Sequence, residues 1–376
     1  MAKPGRDWLL VCLALIPLLA NADTTWSGYA KNLAVGSHSM VDGDRYWSDL
    51  TRLRLSTRSR WDTVELVLDQ DLEFLTGSFL DTPDYAVIDA APDPRYWHAQ
   101  SVFQHSSDLV GRYQLYRGTL RWQSPLGDFR VGRQQVNWAT GLIWSPMDIL
   151  NPASPFQLEP DERIGVDALL WDHPWGTLGR VSAVYAPAHP SGQQTTALRV
   201  KRFVAGIDAS IMAGEFSTTQ AYGLSGAGNL GDAGWHGEAV WHKPDVGERY
   251  WQWVAGLTWA SANGLDLGVE GFYNGHKVDT PLLDISRLVG GIPSYRGGGY
   301  LGATASQDLT PFLHYRVVAV LNLDDNSGAF YPRLTWSLPS RQEIYLTFGL
   351  QAFWGGTGSE YGSLENLVLG ELLWFY

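Results

Sequence analysis

The chain has 376 residues, with 39 Asp and Glu against 27 Lys and Arg, and a formal net charge of −12. That acidic balance argues against nucleic acid as a partner. The one cysteine, Cys12, rules out a disulfide framework and a thiolate metal site.

Residues Met1 to Ala22 read as a secretory signal peptide. Lys3 and Arg6 supply a positive start, Leu9 to Leu19 an apolar stretch, and Ala20-Asn21-Ala22 a small-x-small cleavage site. The apolar run is too short for a membrane anchor and is broken by Pro17. Residues 23–376 then form a single exported domain. Past the signal, no apolar run approaches the ~18 residues that a spanning helix needs. A membrane crossing by this chain therefore has to be a closed barrel. The 18 Trp, 17 Tyr and 41 Gly suit one, as interfacial aromatics and as relief for crowded, curved sheet.

Alternation with period two runs along the chain. In the stretch from Tyr250, Trp251, Trp253, Ala255, Leu257 and Trp259 alternate with Gln252, Val254, Gly256 and Thr258. The two outer tryptophans are eight residues apart. At ~3.3 Å per residue and ~40° tilt they differ in height by about 20 Å, near the thickness of an outer-membrane apolar band. Ile344, Leu346, Phe348 and Leu350 alternate with Glu343, Tyr345, Thr347 and Gln351 in the same way, and Phe330, Leu334 and Trp336 with Tyr331, Arg333 and Thr335. The apolar face is expected to meet lipid and the charged, hydroxylated face to be enclosed.

Eighteen such segments begin near Trp26, Leu50, Val64, Tyr113, Phe129, Val166, Leu178, Thr196, Gly206, Gln220, Trp235, Tyr250, Leu265, Gly299, Phe312, Phe330, Glu343 and Leu364; weak boundaries near Ala205, Gln220 and Gly234 leave 16 open. Short turns follow the even segments, and long stretches, Thr76 to Gly111, Trp138 to Gly165 and Lys277 to Gly298, follow odd ones. The pattern predicts an all-β fold: a transmembrane, antiparallel up-and-down β-barrel with short periplasmic turns and long outer loops. The last strand ends on Trp374-Phe375-Tyr376 and is expected to close the barrel against the first, its aromatic end resembling the signal read by the barrel-assembly machinery.

Charge concentrates early. Arg52, Arg54, Arg58 and Arg60 share the polar face of the second strand, and Glu65, Asp69, Asp71 and Glu73 that of the third. Hairpin neighbours of opposite sign form a cross-strand ladder of ion pairs. The alternative is that surplus guanidinium groups, with Arg117 and Arg121 on the fourth segment and Arg130 or Arg133 on the fifth, line a path for anions, since arginine donates paired bonds to carboxylate or phosphate.

The densest motif is Gly132-Arg133-Gln134-Gln135-Val136-Asn137-Trp138, followed by Trp144, Pro146, Asp148, Asn151 and Pro152, and then Asp161 to Asp167. Over Leu120 to Pro187, and at the opening Ser27 to Asn32, the chain resembles porin-like bacterial outer-membrane proteins, including barrels of the alginate-export type. The resemblance implies an outer-membrane barrel and leaves the solute open. The Trp138–Gly165 stretch is too rich in turn chemistry for slack. Either it folds inward and narrows the pore, with Trp138, Trp144, Asp148 and Arg163 at the constriction, or it packs over the barrel rim.

No His-Glu-x-x-His, Gly-x-Ser-x-Gly or phosphate loop occurs, so neither enzyme activity nor a metal or other cofactor is expected. The reading is a porin-like channel in the outer membrane for small or linear hydrophilic solutes. Its alternatives are an export pore for an anionic polysaccharide and a plugged barrel acting as scaffold or receptor. Outer-membrane lipid and the solute are the expected partners, with a homo-oligomer or a periplasmic protein left open.

Overall fold

The computed structural model describes residues 22–91, 95–152, 157–160, 162–163, 165–188, 193–277 and 295–376. The signal peptide read at residues 1–22 lies outside them except for Ala22, as does most of the loop read at Lys277 to Gly298.

Nineteen strands are described: β1 (Asp23–His38), β2 (Arg45–Trp61), β3 (Val64–Thr76), β4 (Gln100–His105), β5 (Leu109–Ser124), β6 (Gly127–Gln134), β7 (Val166–Trp175), β8 (Gly179–Ala186), β9 (Thr195–Val204), β10 (Ile207–Phe216), β11 (Thr219–Leu230), β12 (Ala233–Pro244), β13 (Tyr250–Ala260), β14 (Asp266–Asn274), β15 (Gly299–Thr310), β16 (Leu313–Asn322), β17 (Gly328–Leu338), β18 (Arg341–Trp354) and β19 (Leu367–Phe375). All but β4 form a closed antiparallel barrel of 18 strands. β19 closes it, with Tyr29 to Gly36 of β1 opposite Phe375 to Val368. Pairing the last strand with the first closes the ring of strands, the condition for a sheet to cross a membrane.

The alternation follows the pleat. Trp251, Trp253, Leu257 and Trp259 of β13 are 44–54% exposed, while Val254 between them is 2% exposed. Outward aromatics form two rows. Near the short turns lie Trp26, Trp122, Trp259, Trp336 and Trp374; near the long loops lie Tyr222, Trp251, Trp253 and Tyr273. Cross-strand stacking ties neighbours within each row: Trp122 on Phe129 at 5.5 Å, and Trp253 on Tyr273 at 5.8 Å. Between the rows, Leu53, Leu120, Leu198, Ile211, Leu224 and Val269 are exposed apolar residues, the surface composition of a lipid-facing band.

The extra strand has a geometric cause. β6 is only eight residues long and pairs with the lower part of β5, Gly118 to Ser124. The upper part of β5, Val110 to Gln114, would present a free edge there, and β4 pairs with it. Gly132, at φ +119°, is in a conformation that side chains rarely adopt, and a Cβ there would strike the Gly118 carbonyl. Its bend lies just before β6 leaves the sheet.

One expectation needs correcting. The enclosed face is not polar throughout. Val184, Ala197, Met212, Ala221 and Val240 form one inward apolar cluster, and Val254, Phe272, Tyr300 and Val320 belong to another. Both exist because a loop packs on them.

Candidate functional site

After Gln134 the chain turns into the barrel instead of continuing upward. Val136, Trp138, Ile143, Trp144 and Met147 are 0–5% exposed. Val136, Trp138 and Met147 pack with the first inward cluster, Ile143 and Trp144 with the second. Trp144 stacks on Phe272 at 5.3 Å and 13°. Burying such a side chain is worth roughly 2–3 kcal/mol, which holds the loop against the wall.

The loop's backbone is irregular, so its N–H groups need partners from elsewhere. Two carboxylates of the wall provide them. Glu238 of β12 accepts from the backbone of Thr140, from Gly141 at 3.0 Å and from Met147 at 2.9 Å, and also from the Thr140 hydroxyl at 3.0 Å. Glu270 of β14 accepts from Leu142 at 2.5 Å, Ile143 at 2.9 Å and Trp144 at 3.2 Å, with His236 Nε2 at 2.6 Å. Within the loop, Asp148 Oδ1 accepts from the backbone of Trp138 and Ala139 at 2.5 and 3.0 Å, and Asn151 from that of Val136 at 2.7 Å.

The returning limb meets the opposite wall with charges. Glu159 accepts from Lys31 at 3.0 Å and from both terminal nitrogens of Arg52 at 2.7 and 3.1 Å. Glu162 pairs with Arg54 at 2.9 Å and takes the Tyr29 hydroxyl at 2.5 Å. The Leu158 carbonyl accepts from Arg333 and Tyr331 of β17. A β-bulge between Asp69 and Gln70 pairings leaves Tyr116 unpaired in the β3–β5 register. Tyr116 and Arg117 both donate to the Arg163 carbonyl, and the Arg54 guanidinium lies 3.7 Å from the Tyr116 ring centre. The loop thus touches β12 and β14 with one limb and β1, β2 and β17 with the other.

Two loop carboxyls are displaced from their ordinary range in opposite directions. Burial pushes Asp148 up to about 6. Burial would also raise Glu162, but Arg54, the Tyr29 hydroxyl, Lys31 and Arg52 outweigh it and bring Glu162 down to about 2.

The structure disperses the residues expected to line a pore. Arg133 is 1% exposed, bonded to Asp167 at 2.9 and 3.0 Å, to the Leu115 carbonyl at 2.9 Å and to the Trp97 carbonyl. It ties the chain before β4 to the end of β6, and no part of it faces an open path. Arg52, Arg54 and Asp71 are also sealed, at 7, 8 and 1% exposure. Arg52 bonds Glu73 at 2.7 Å, Arg54 bonds Asp71 at 2.6 Å twice, and Glu159 and Glu162 cover both arginines. Arg58 and Arg60 remain more than half exposed and share Glu65 at 3.3 and 3.0 Å; Arg121 shares it at 3.6 Å and pairs with Asp128 at 2.7 Å. Asp69 stands opposite the partly buried Arg117. Trp138, Trp144 and Asp148 are buried in the inward loop, packed against wall residues, and Arg163 faces Asp148 at 3.5 Å.

Glu238 and Glu270, the loop's wall anchors, were not singled out as anchors in the sequence, because their partners are backbone amides, which carry no sequence signal.

No known family matches the sequence, and no curated protein matches it. Among solved structures, the chain is similar in fold to Acinetobacter baumannii OccAB1 (11% identity, 95% of this chain and 99% of that one, TM-score 0.61). It is likewise similar to the Pseudomonas aeruginosa outer membrane protein OpdK (9% identity, 94% and 98%, TM-score 0.58). A third is Pseudomonas aeruginosa OccK2 (OpdF) in complex with glucuronate (12% identity, 94% and 97%, TM-score 0.56).

Proposed function

We propose that this chain is a porin-like channel of the bacterial outer membrane that passes small hydrophilic solutes passively. The observation that carries the reading is a loop laid from wall to wall inside a closed 18-stranded barrel with an apolar exterior between two aromatic rows. A barrel of this size encloses a lumen wider than its own side chains fill, and a loop anchored on both sides narrows that lumen. Similarity in fold to OpdK, an outer membrane protein, supports the location. The reading includes a leader at residues 1–22, removed on export, and no catalysis.

Arg52 and Arg54 are matched by Asp71, Glu73, Glu159 and Glu162, so these two arginines offer no unpaired charge to an exported anionic polymer. Reconstitution of the purified protein in planar bilayers tests the proposal. Stepwise, ohmic conductance is expected; a protein that inserts and conducts no ions would refute it.

A further inference from the structure

The geometry points to a binding site for a small organic ammonium ion, in a cavity of about 280 Å³ between the Ser145–Pro152 side of the loop and the inner wall from β10 to β14. Among the described residues of its lining, Asp148 is the one formally charged residue, and neither lysine nor arginine occurs. Two buried polar atoms of this lining, Asp148 Oδ2 and His242 Nε2, on residues 2% and 5% exposed, have no hydrogen-bond partner among the described residues. The other Asp148 oxygen is occupied by two backbone N–H groups. Arg163 approaches Oδ2 to 3.5 Å as an ion pair but donates no hydrogen bond to it.

The His242 ring is held in place by stacking on Tyr250 at 4.5 Å and 12°, and Tyr250 stacks on His276 at 4.8 Å. Those rings spend their faces on one another, so they act as walls. Phe216, Ile149 and Pro146 add apolar surface to the lining.

A buried acceptor left unpaired is costly, the more so when charged, so a ligand that supplies donors to both atoms relieves both costs. An ammonium group has three donors, a positive charge and no acceptor. A carboxylate offers no donor and is repelled by Asp148. An alcohol carries no charge and offers one donor, too few for both atoms. The apolar lining takes a small hydrocarbon body. The site's part in selecting solutes rests on the channel reading, whereas binding itself does not.

Isothermal titration of the detergent-solubilised full chain at neutral pH, with benzylamine, benzyl alcohol and phenylacetate, tests the site. The three probes share one ring and differ in the head group. Benzylammonium is expected to bind at least about tenfold more tightly than either of the others, a difference of ~1.4 kcal/mol. Asp148→Asn and His242→Phe are each expected to remove most of that advantage. His242→Phe keeps a stacking ring and leaves the loop's bonds untouched, so it decides the matter if Asp148→Asn fails to fold. Equal affinity for the three probes, preference for phenylacetate, or undiminished ammonium binding in His242→Phe would overturn the site. Bilayer conductance on the same preparation separates the two claims: binding without conductance defeats the channel alone, and conductance without ammonium preference defeats the site alone.

Discussion

On the β12–β14 wall the loop's backbone N–H groups are received by two carboxylates of the barrel, whereas on the β1–β2 wall the loop's own carboxylates are received by guanidinium and ammonium groups. The amide bonds of the first contact are indifferent to loop side chains, because each amide offers the same donor. It depends on the loop's path, and Glu238 and Glu270 dictate that path by fixing six consecutive or near-consecutive amides. The second contact depends on particular side chains and on their ionisation, so it responds to pH and to charge substitution. One wall shapes the loop and the other latches it.

Breaking the shaping side has the largest expected effect. In the Glu238→Ala, Glu270→Ala double variant, six amides lose their acceptors, at roughly 1–3 kcal/mol for each that stays buried and unpaired. The 135–165 segment should leave the wall and become cleavable by added protease in minutes, while the barrel still migrates as a folded, heat-modifiable species. Resistance equal to that of the parent would break the comparison.

On the latching side, Arg54→Ala leaves Asp71 and Glu162 without their main partner and should cost about 3–5 kcal/mol in urea unfolding, as expected for one half of a buried pair. Adding Glu162→Gln should recover part of that loss, since neighbours in one network are not additive. Additivity within ~0.3 kcal/mol would show that Glu162 does not latch the loop through Arg54.

The pH dependence distinguishes the two limbs in sign. Glu162 is depressed to about 2 from 4.5, so its stabilising contribution is complete above 4.5 and is lost as pH falls toward 2. Asp148 is raised to about 6 from 3.8, so its contribution is greatest below 3.8 and declines as pH rises through 6. Protease resistance of the loop should accordingly drop below pH 4 through Glu162 on the returning limb, and fall more gently between pH 4 and 7 through Asp148 on the limb at the β12–β14 wall. Asp148→Asn should abolish the gentle change and leave the acid one; the reverse pattern would mean that the assignments are interchanged.

The smallest expected effect lies below the loop. Arg58→Ala and Arg60→Ala remove exposed partners of Glu65 and should change stability by no more than ~1 kcal/mol. Each should still shift the reversal potential in a salt gradient toward cation preference if these groups face the permeating ions.

The barrel was legible because its rule is local. Alternation places Trp251 outward and Val254 inward whatever lies across the lumen, and the 18 segments read from it fall within a few residues of the barrel strands. β4 escaped because Gln100 to His105 has only two large apolar residues, Val102 and Phe103, and its pairing exists only because β6 stops at Gln134. Arg133 was misplaced for a related reason: the register puts it opposite Asp167, and the chain at Trp97 covers both, a meeting of segments 36 residues apart. The arginine–acid ladder was readable as pairs on facing strands, but not its cover by Glu159 and Glu162, which arrive from more than 100 residues away.

The most direct test of the whole account is the single-channel conductance of a variant lacking residues 142–159, compared with the intact chain in the same bilayer. A loop lying across the lumen predicts a larger, ohmic conductance, roughly two-fold or more, as expected when cross-section is returned to a barrel of this strand number. Equal conductance in the two proteins would contradict it.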